Sequence, residues 1–279
     1  MSKIIAVHSY KGGTGKTLVS INLAATLARR GRKICLMDLD FRAPSLATFF
    51  GNQNVEAWLN DYLNGTCRIN KVLIDLSSRI TGEGQLFVGL ADPSTEAIRE
   101  MSAKDRKWEM KALGRLLALR NSILNDEGFD YLVFDTSPGL QYSSINAIVA
   151  ADVVIVASTF DRSDVNGTTR MLRELYDLFE KKTEVIVNKV LSDISSQSKK
   201  EDLQGKIRGM YKIPILGIVP CFCDISRAGG AFIFVQEKPE HPFSRIMNEM
   251  ARKIENDSAE LSDSAIESTS RNEQFSLLQ

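Results

Sequence analysis

Short apolar runs alternate along the chain with longer amphipathic stretches. Seven apolar runs predict strands, at residues 3–8, 33–37, 86–88, 131–134, 153–157, 184–187 and 215–219. Between most of these runs the apolar spacing favours helices, at residues 17–30, 108–125, 143–150, 164–181 and 199–211. Strands that alternate with helices predict an α/β fold, with a doubly wound, mostly parallel sheet that carries helices on both faces.

The composition changes this picture little, but it excludes several classes of protein. The chain has 279 residues, 43% of them hydrophobic, and a formal net charge of zero, so it can bury a sizeable core and has no overall attraction to nucleic acid or anionic membranes. The longest apolar stretch, 147–157, carries Asp152 and is too short to span a bilayer. The apolar run at 4–7 is too short for a signal peptide. We therefore expect a cytoplasmic protein that can reach a membrane or the nucleoid through a partner.

The composition shifts near the carboxyl end. Residues 255–279 hold six acidic residues and a single basic one, together with many serines. We therefore predict a folded domain over 1–254 and an acidic, disordered tail over 255–279. Such a tail does not resemble the basic amphipathic helices that attach proteins to membranes, so we do not expect it to bind a membrane directly.

The most specific motif is the segment from Lys11 to Thr17, Lys-Gly-Gly-Thr-Gly-Lys-Thr, which lies between a predicted strand and a predicted helix. Glycines let the backbone wrap closely around phosphate oxygens, and the helix amino terminus adds partial positive charge. Lys16 is expected to reach the β- and γ-phosphates, and the Thr17 hydroxyl to hold Mg²⁺. The residues expected to surround the nucleotide here are Gly12, Gly13, Thr14, Gly15, Lys16, Thr17 and Leu18.

Three aspartates follow predicted strands. Asp38 and Asp40 come after the second strand, where alternation puts them on the same side. Asp135 directly follows the apolar run at 131–134. Carboxylates at the carboxyl ends of parallel strands face the ligand crevice. We predict Asp38 and Asp135 as Mg²⁺ ligands, together with Thr17.

The Lys11 loop resembles the deviant Walker A motif of the MinD/ParA family of P-loop ATPases, and the resemblance extends over about 3–253. It implies that Lys11 crosses to the partner subunit and contacts its nucleotide, so that catalysis by Lys11 and Lys16 requires an ATP-bound homodimer. It also implies that Asp40 positions the attacking water. The segment after Asp135 resembles switch II, but Ser137 stands where the family has proline, which leaves the geometry of this loop open.

The resemblance also bears on the nucleotide base. It implies that Asn188 contacts adenine and that Pro220, at the end of a Gly-Ile-Val-Pro segment, lies in the binding site. GTPases place an aspartate three residues after such an asparagine to read guanine, and Leu191 stands there instead. The sequence thus favours ATP, with Mg²⁺ as its cofactor.

The resemblance implies a slow ATPase that acts as a switch in placing a division site, a surface machine or a DNA cargo, together with an activating or cargo protein. One alternative is a metallocluster carrier or metal-insertion ATPase that uses Cys221 and Cys223, although strand alternation favours buried packing of both sulfurs. A second is a DNA-partition ATPase whose basic pairs at 29–30, 32–33, 181–182 and 199–200 bind DNA nonspecifically. A protein kinase is less favoured, because the tail lacks the tyrosine cluster of the related bacterial kinases.

Overall fold

A computed structural model describes residues 2–51, 54–176, 179–191, 197–230 and 232–257. Eight strands form one sheet, in the order β3-β4-β2-β5-β1-β6-β7-β8. The strands are β1 (Lys3–His8), β2 (Lys33–Leu39), β3 (Leu73–Asp75), β4 (Gln85–Gly89), β5 (Tyr131–Thr136), β6 (Val153–Ser158), β7 (Lys182–Val190) and β8 (Ile215–Pro220).

Helices connect most of the strands. They are α1 (Lys16–Arg29), α2 (Leu46–Phe50), α3 (Leu59–Asn64), α4 (Thr95–Ser102), α5 (Arg106–Leu119), α6 (Tyr142–Ala150), α7 (Arg162–Met171), α8 (Gln197–Tyr211), α9 (Cys223–Ala228), α10 (Phe234–Glu237) and α11 (242–257). Wider π-helical turns continue α5 through Asn125 and α7 through Tyr176.

The sheet is parallel except at one edge, where β3 runs antiparallel to β4. This confirms the predicted mostly parallel α/β fold and all seven predicted strands. The central strand β1 is buried along its whole length, which explains why it is a continuous apolar run rather than an alternating one. Strand β3 was not predicted, because three residues are too few to establish an alternating pattern.

The core has two layers, one on each face of the sheet. Ile4 and Ala6 of β1 pack into the layer under α5, α6, α7 and α8, whereas Ile5 and Val7 pack into the layer under α1 and α11. Helix α11 was not predicted. Its buried residues lie at helical spacing, namely Phe243, Met247, Met250, Ala251 and Ile254.

Helix α11 continues past the predicted domain boundary at 254. The Glu255 carboxylate pairs with the Arg30 guanidinium and lies 2.9 Å from Arg32 Nε, and the Asp257 carboxylate pairs with Lys182. Residues 258–279, the rest of the predicted tail, lie outside the described residues. Within the described ranges, no helix combines the length and the apolar character that crossing a bilayer requires.

Candidate nucleotide-binding site

The loop between β1 and α1 requires its glycines. Gly13 and Gly15 have φ angles of 77° and 93°, a left-handed conformation that glycine adopts without strain. A Cβ atom built on Gly15 would lie 2.3 Å from Asn188 Nδ2. Both positions therefore favour glycine, and at Gly15 a side chain would also collide with Asn188, close to the end of β7.

The end of β7 holds this loop in place. Asn188 Nδ2 donates to the Thr14 carbonyl at 2.7 Å, and Lys189 Nζ donates to the Gly13 carbonyl at 2.7 Å. Asn188 Oδ1 in turn accepts the Lys189 amide at 2.8 Å, while Lys189 adopts an uncommon positive φ of 56°. Asn188 was predicted as a site residue but Lys189 was not, although the Asn-Lys pair at 188–189 was the available signal.

A cluster of oxygen atoms lies directly below the loop. The Thr17 hydroxyl donates to Asp135 Oδ2 at 2.7 Å, and Ser20, one turn further along α1, donates to Asp135 Oδ1 at 2.9 Å. The parallel register of β2 and β5 places Asp38 opposite Asp135. The predicted metal ligands Thr17, Asp38 and Asp135 thus lie in one region, and Ser20 is an addition that the sequence did not reveal.

The two aspartates after β2 have different environments. Asp38 is fully buried, and its carboxylate accepts the backbone amides of Asp40, Ser45 and Leu46 at 3.0–3.1 Å. Asp40 is half-buried and accepts the Ala43 amide at 3.3 Å and the Ser137 hydroxyl at 2.8 Å. Asp38 therefore organises the turn after β2, whereas Asp40 remains partly open to solvent.

Burial governs the electrostatics of this cluster. It raises the pKa of Asp135 to about 6, even though hydrogen bonds from Thr17 and Ser20 and the charge of Lys16 oppose the rise. Burial and the neighbouring Asp135 raise the pKa of Asp38 well above its usual range. Burial lowers the pKa of Lys16, against the attraction of nearby carboxylates. A cation favours the ionised carboxylates, and an all-oxygen set of ligands suits Mg²⁺.

Lys11 reaches away from this cluster. Its ammonium lies 2.9 Å from Asp161 Oδ1 and contacts the Ser163 hydroxyl, at the start of α7. The Lys11 side chain is 41% exposed. It lines a cavity of about 540 Å³, together with Gly12, Gly13, Thr14, Thr159, Phe160, Asp161, Asp164, Lys189 and Leu191. The contact with Asp161 could not be predicted from the sequence, because the two residues lie far apart in the chain.

A second cavity, of about 220 Å³, is lined in part by Asn188. It brings together Leu18, Asn188 and Pro220, which the sequence analysis placed in the nucleotide site. Apolar side chains line much of its wall, namely Val219, Phe222, Ile225 and Phe243, and Gly15, Lys189 and Cys221 complete it. A mostly apolar cleft with one amide suits a planar heterocycle such as a nucleotide base.

The positions of Cys221 and Cys223 correct one expectation. Both are exposed rather than buried, because the strand ends at Pro220 and its alternation does not extend to them. Cys35, in contrast, is fully buried in β2. Within the part of the chain that the structure describes, no group of three or more His, Cys, Asp or Glu side chains is arranged to hold a metal ion.

The glycine loop, the oxygen cluster and the apolar cleft meet at the carboxyl ends of β1, β2, β5, β7 and β8. The order β2-β5-β1-β6 puts the loop at the point where the chain crosses from one half of the sheet to the other. A parallel sheet with a phosphate loop at this crossing defines the class of P-loop nucleotide-binding proteins.

Comparison with known proteins defines the family further. A family model described as an AAA domain matches residues 2–190. The septum site-determining protein MinD of Synechocystis sp. is 27% identical over 258 residues, which cover 91% of this chain and 90% of that protein. The chain belongs to this AAA domain family and to the MinD/ParA family of P-loop ATPases.

Solved structures share the fold. MinD of Pyrococcus horikoshii, complexed with Mg-ADP, has a TM-score of 0.71 at 22% identity, covering 91% of this chain and 96% of that one. The MinC:MinD cell division protein complex of Aquifex aeolicus also has a TM-score of 0.71 at 22% identity, with the same coverage of 91% and 96%. These structures support the doubly wound architecture over most of the chain.

Proposed function

We propose that this protein is a Mg²⁺-dependent ATPase that dimerises around ATP and acts as a switch in intracellular positioning. The observation that carries the proposal is the convergence of Lys16, Thr17 and Asp135 below the phosphate loop, with the Thr17 hydroxyl 2.7 Å from the Asp135 carboxylate. This combination of a cation, a hydroxyl and a carboxylate suits a nucleotide phosphate and its metal ion.

Each residue has a proposed role in the reaction. Backbone amides of the loop and the amino terminus of α1 hold the phosphates, and Lys16 contacts the β- and γ-phosphates. Thr17, Asp38 and Asp135 would hold Mg²⁺, which would neutralise phosphate charge. Asp40 orients the attacking water. The cleft at Leu18, Asn188 and Pro220 takes adenine, a role supported by its apolar wall and its single amide.

Lys11 is the proposed residue that acts across the dimer. Its half-exposed side chain pairs with Asp161, whose carboxylate is 60% exposed, and such pairs are weak in water. A second subunit with bound ATP offers a greater negative charge, so Lys11 can exchange Asp161 for the partner's phosphates. Hydrolysis would then require two subunits and would end with their separation.

The cellular role proposed here is the placement of a division site, a surface machine or a DNA cargo. The division site is favoured, because the similar Synechocystis protein is named as septum site-determining and the similar Aquifex structure contains MinC with MinD. We propose that the ATP-bound dimer presents a surface to an activating or cargo protein. Such a partner would bring the protein to a membrane or the nucleoid.

The first test is the molecular mass by light scattering with ADP and with ATP, with bound metal measured on the same sample. A shift from monomer to dimer with ATP supports the switch. A mass that is the same with both nucleotides contradicts it.

Two variants test the proposed roles in turnover. Asp40→Ala is expected to retain ATP and accumulate as a dimer, because hydrolysis no longer dissolves it. Lys11→Ala is expected to bind ATP but to lose turnover. Lys71→Ala is a matched control, since Lys71 is also an exposed lysine paired with an exposed acid, Glu56, at 2.7 Å. Wild-type turnover in Lys11→Ala would remove the argument for a lysine that acts in trans.

A metal carrier is the second candidate, because Cys221 and Cys223 are exposed and two subunits would supply four thiols. A nucleotide-independent dimer with bound metal would favour it.

The DNA-partition alternative has less support. Arg30 and Arg32 of the proposed basic pairs face Glu255 of the same chain, which reduces their attraction for phosphates. Salt-sensitive DNA binding that requires ATP would revive this alternative.

A further inference from the structure

The loops after β2 and β5 begin side by side. The last pair in the parallel register of these strands is Leu39 with Thr136. The next residues, Asp40 and Ser137, therefore lie beside each other at the carboxyl edge of the sheet. Ser137 is 1% exposed, and its hydroxyl donates to Asp40 Oδ1 at 2.8 Å.

This bond holds one oxygen of Asp40 in a defined place. Asp40 Oδ1 accepts both the Ser137 hydroxyl and the Ala43 amide, the latter at 3.3 Å, so it is held from two different loops. Among the hydrogen bonds of the described residues, none involves Asp40 Oδ2. The carboxylate thus has one anchored oxygen and one oxygen left to accept a bond from water.

Ser137 is itself held firmly. Its carbonyl accepts the Ser144 hydroxyl of α6 at 2.7 Å, and two residues further on the Gly139 amide donates to the Ser9 carbonyl at 2.8 Å. The backbone of this loop is therefore anchored to α6 and to Ser9, which precedes the phosphate loop. A proline at position 137 would have neither the hydroxyl nor a donor to replace it.

We infer that Ser137 is a positioning residue for Asp40, which it orients before the nucleotide binds. This inference rests on the proposed function, in which Asp40 orients the attacking water. The anchored Oδ1 leaves Oδ2 to accept the hydrogen bond from that water. Groups oriented in advance need not reorganise during the reaction, which is how such an arrangement accelerates it.

The test compares Ser137→Ala with the wild type in steady-state ATP turnover and in light scattering. The kcat is expected to fall about tenfold or more, the effect of losing a hydrogen bond to a charged group. The KM for ATP is expected to stay within about twofold, because Ser137 contacts Asp40 and not the nucleotide residues. The ATP-bound dimer is expected to accumulate, as in Asp40→Ala.

Further variants separate positioning from folding. Ser137→Thr retains the hydroxyl and is expected to restore turnover, whereas Ser137→Cys keeps the size with a weaker donor and covers the case in which Ser137→Ala does not fold. Ser244→Ala is the matched control, since Ser244 is a buried serine of α11 that donates to the Lys238 carbonyl. It is expected to retain wild-type kcat.

The outcomes distinguish this inference from the proposed function. A wild-type protein that does not hydrolyse ATP overturns the proposed function itself. If the wild type hydrolyses ATP and Asp40→Ala does not, wild-type kcat in Ser137→Ala overturns the positioning role alone. Loss of ATP binding and of dimer together with turnover, without rescue by Ser137→Thr, would show that Ser137 supports only the fold.

Discussion

The charge of Asp135 is expected to destabilise the protein when metal and nucleotide are absent. Asp135 is fully buried and lies opposite Asp38 in the β2–β5 register. Burial raises its pKa from an ordinary 3.8 to about 6, despite the hydrogen bonds from Thr17 and Ser20. Asparagine has nearly the same shape and keeps one acceptor oxygen, but it carries no charge. Asp135→Asn is therefore expected to be more stable than the wild type.

The raised pKa of Asp135 sets the magnitude and the sign of the change in the free energy of unfolding. A rise of about two pH units corresponds to about 3 kcal/mol, which is an upper limit for the gain. The folded protein binds this proton more tightly than the unfolded chain does. The protonated Asp135 carboxyl therefore contributes its full stability below about pH 4, and that stability is lost as the pH rises through about 6. The free energy of unfolding of Asp135→Asn is expected to exceed that of the wild type by about 2–3 kcal/mol at pH 8, and by about half as much at pH 5.

The assay is urea unfolding at a series of pH values with EDTA and without nucleotide. Asp126→Asn is the control, since Asp126 is exposed and its replacement is expected to change little. Saturating Mg²⁺ and ATP should reverse the order of stability, because the ion favours the carboxylate. A wild type as stable as Asp135→Asn at pH 8, or a difference that does not change between pH 5 and pH 8, would refute the reasoning.

Two further predictions concern the loop and the carboxyl end. Gly15→Ala combines a left-handed φ with a Cβ atom 2.3 Å from Asn188 Nδ2. Calorimetry should therefore show that its nucleotide affinity is lower by about tenfold or more. Gly205→Ala is the control and should retain the wild-type affinity, because there is open space around its Cβ. A chain that ends at 254 lacks Glu255, which pairs with Arg30 and Arg32, and Asp257, which pairs with Lys182. Its free energy of unfolding in urea is expected to be about 1–2 kcal/mol lower than that of a chain that ends at 257. Equal stability of the two truncated chains would show that these pairs contribute nothing.

The candidate site was predictable where it depends on consecutive residues. The phosphate loop follows from glycine spacing, and Asp135 follows from its place after four apolar residues, since both are properties of short segments. The partners of these residues were not predictable. Lys11 meets Asp161 and Ser137 meets Asp40 across long stretches of chain, and no local pattern records such contacts.

By itself, the sequence determined the type and the order of most elements, because each strand or helix shows the period of its own buried face. It also determined the phosphate loop, whose backbone path requires glycine. Only the tertiary structure decided that β2 lies beside β5, which sets Asp38 opposite Asp135, and that Cys221 and Cys223 are exposed. It likewise decided that α11 packs into the same core layer as α1 and continues to 257. The physical reason is that contacts in space depend on how elements that are distant in the chain pack together. The spacing of apolar residues along one element, in contrast, is a property of that short segment alone.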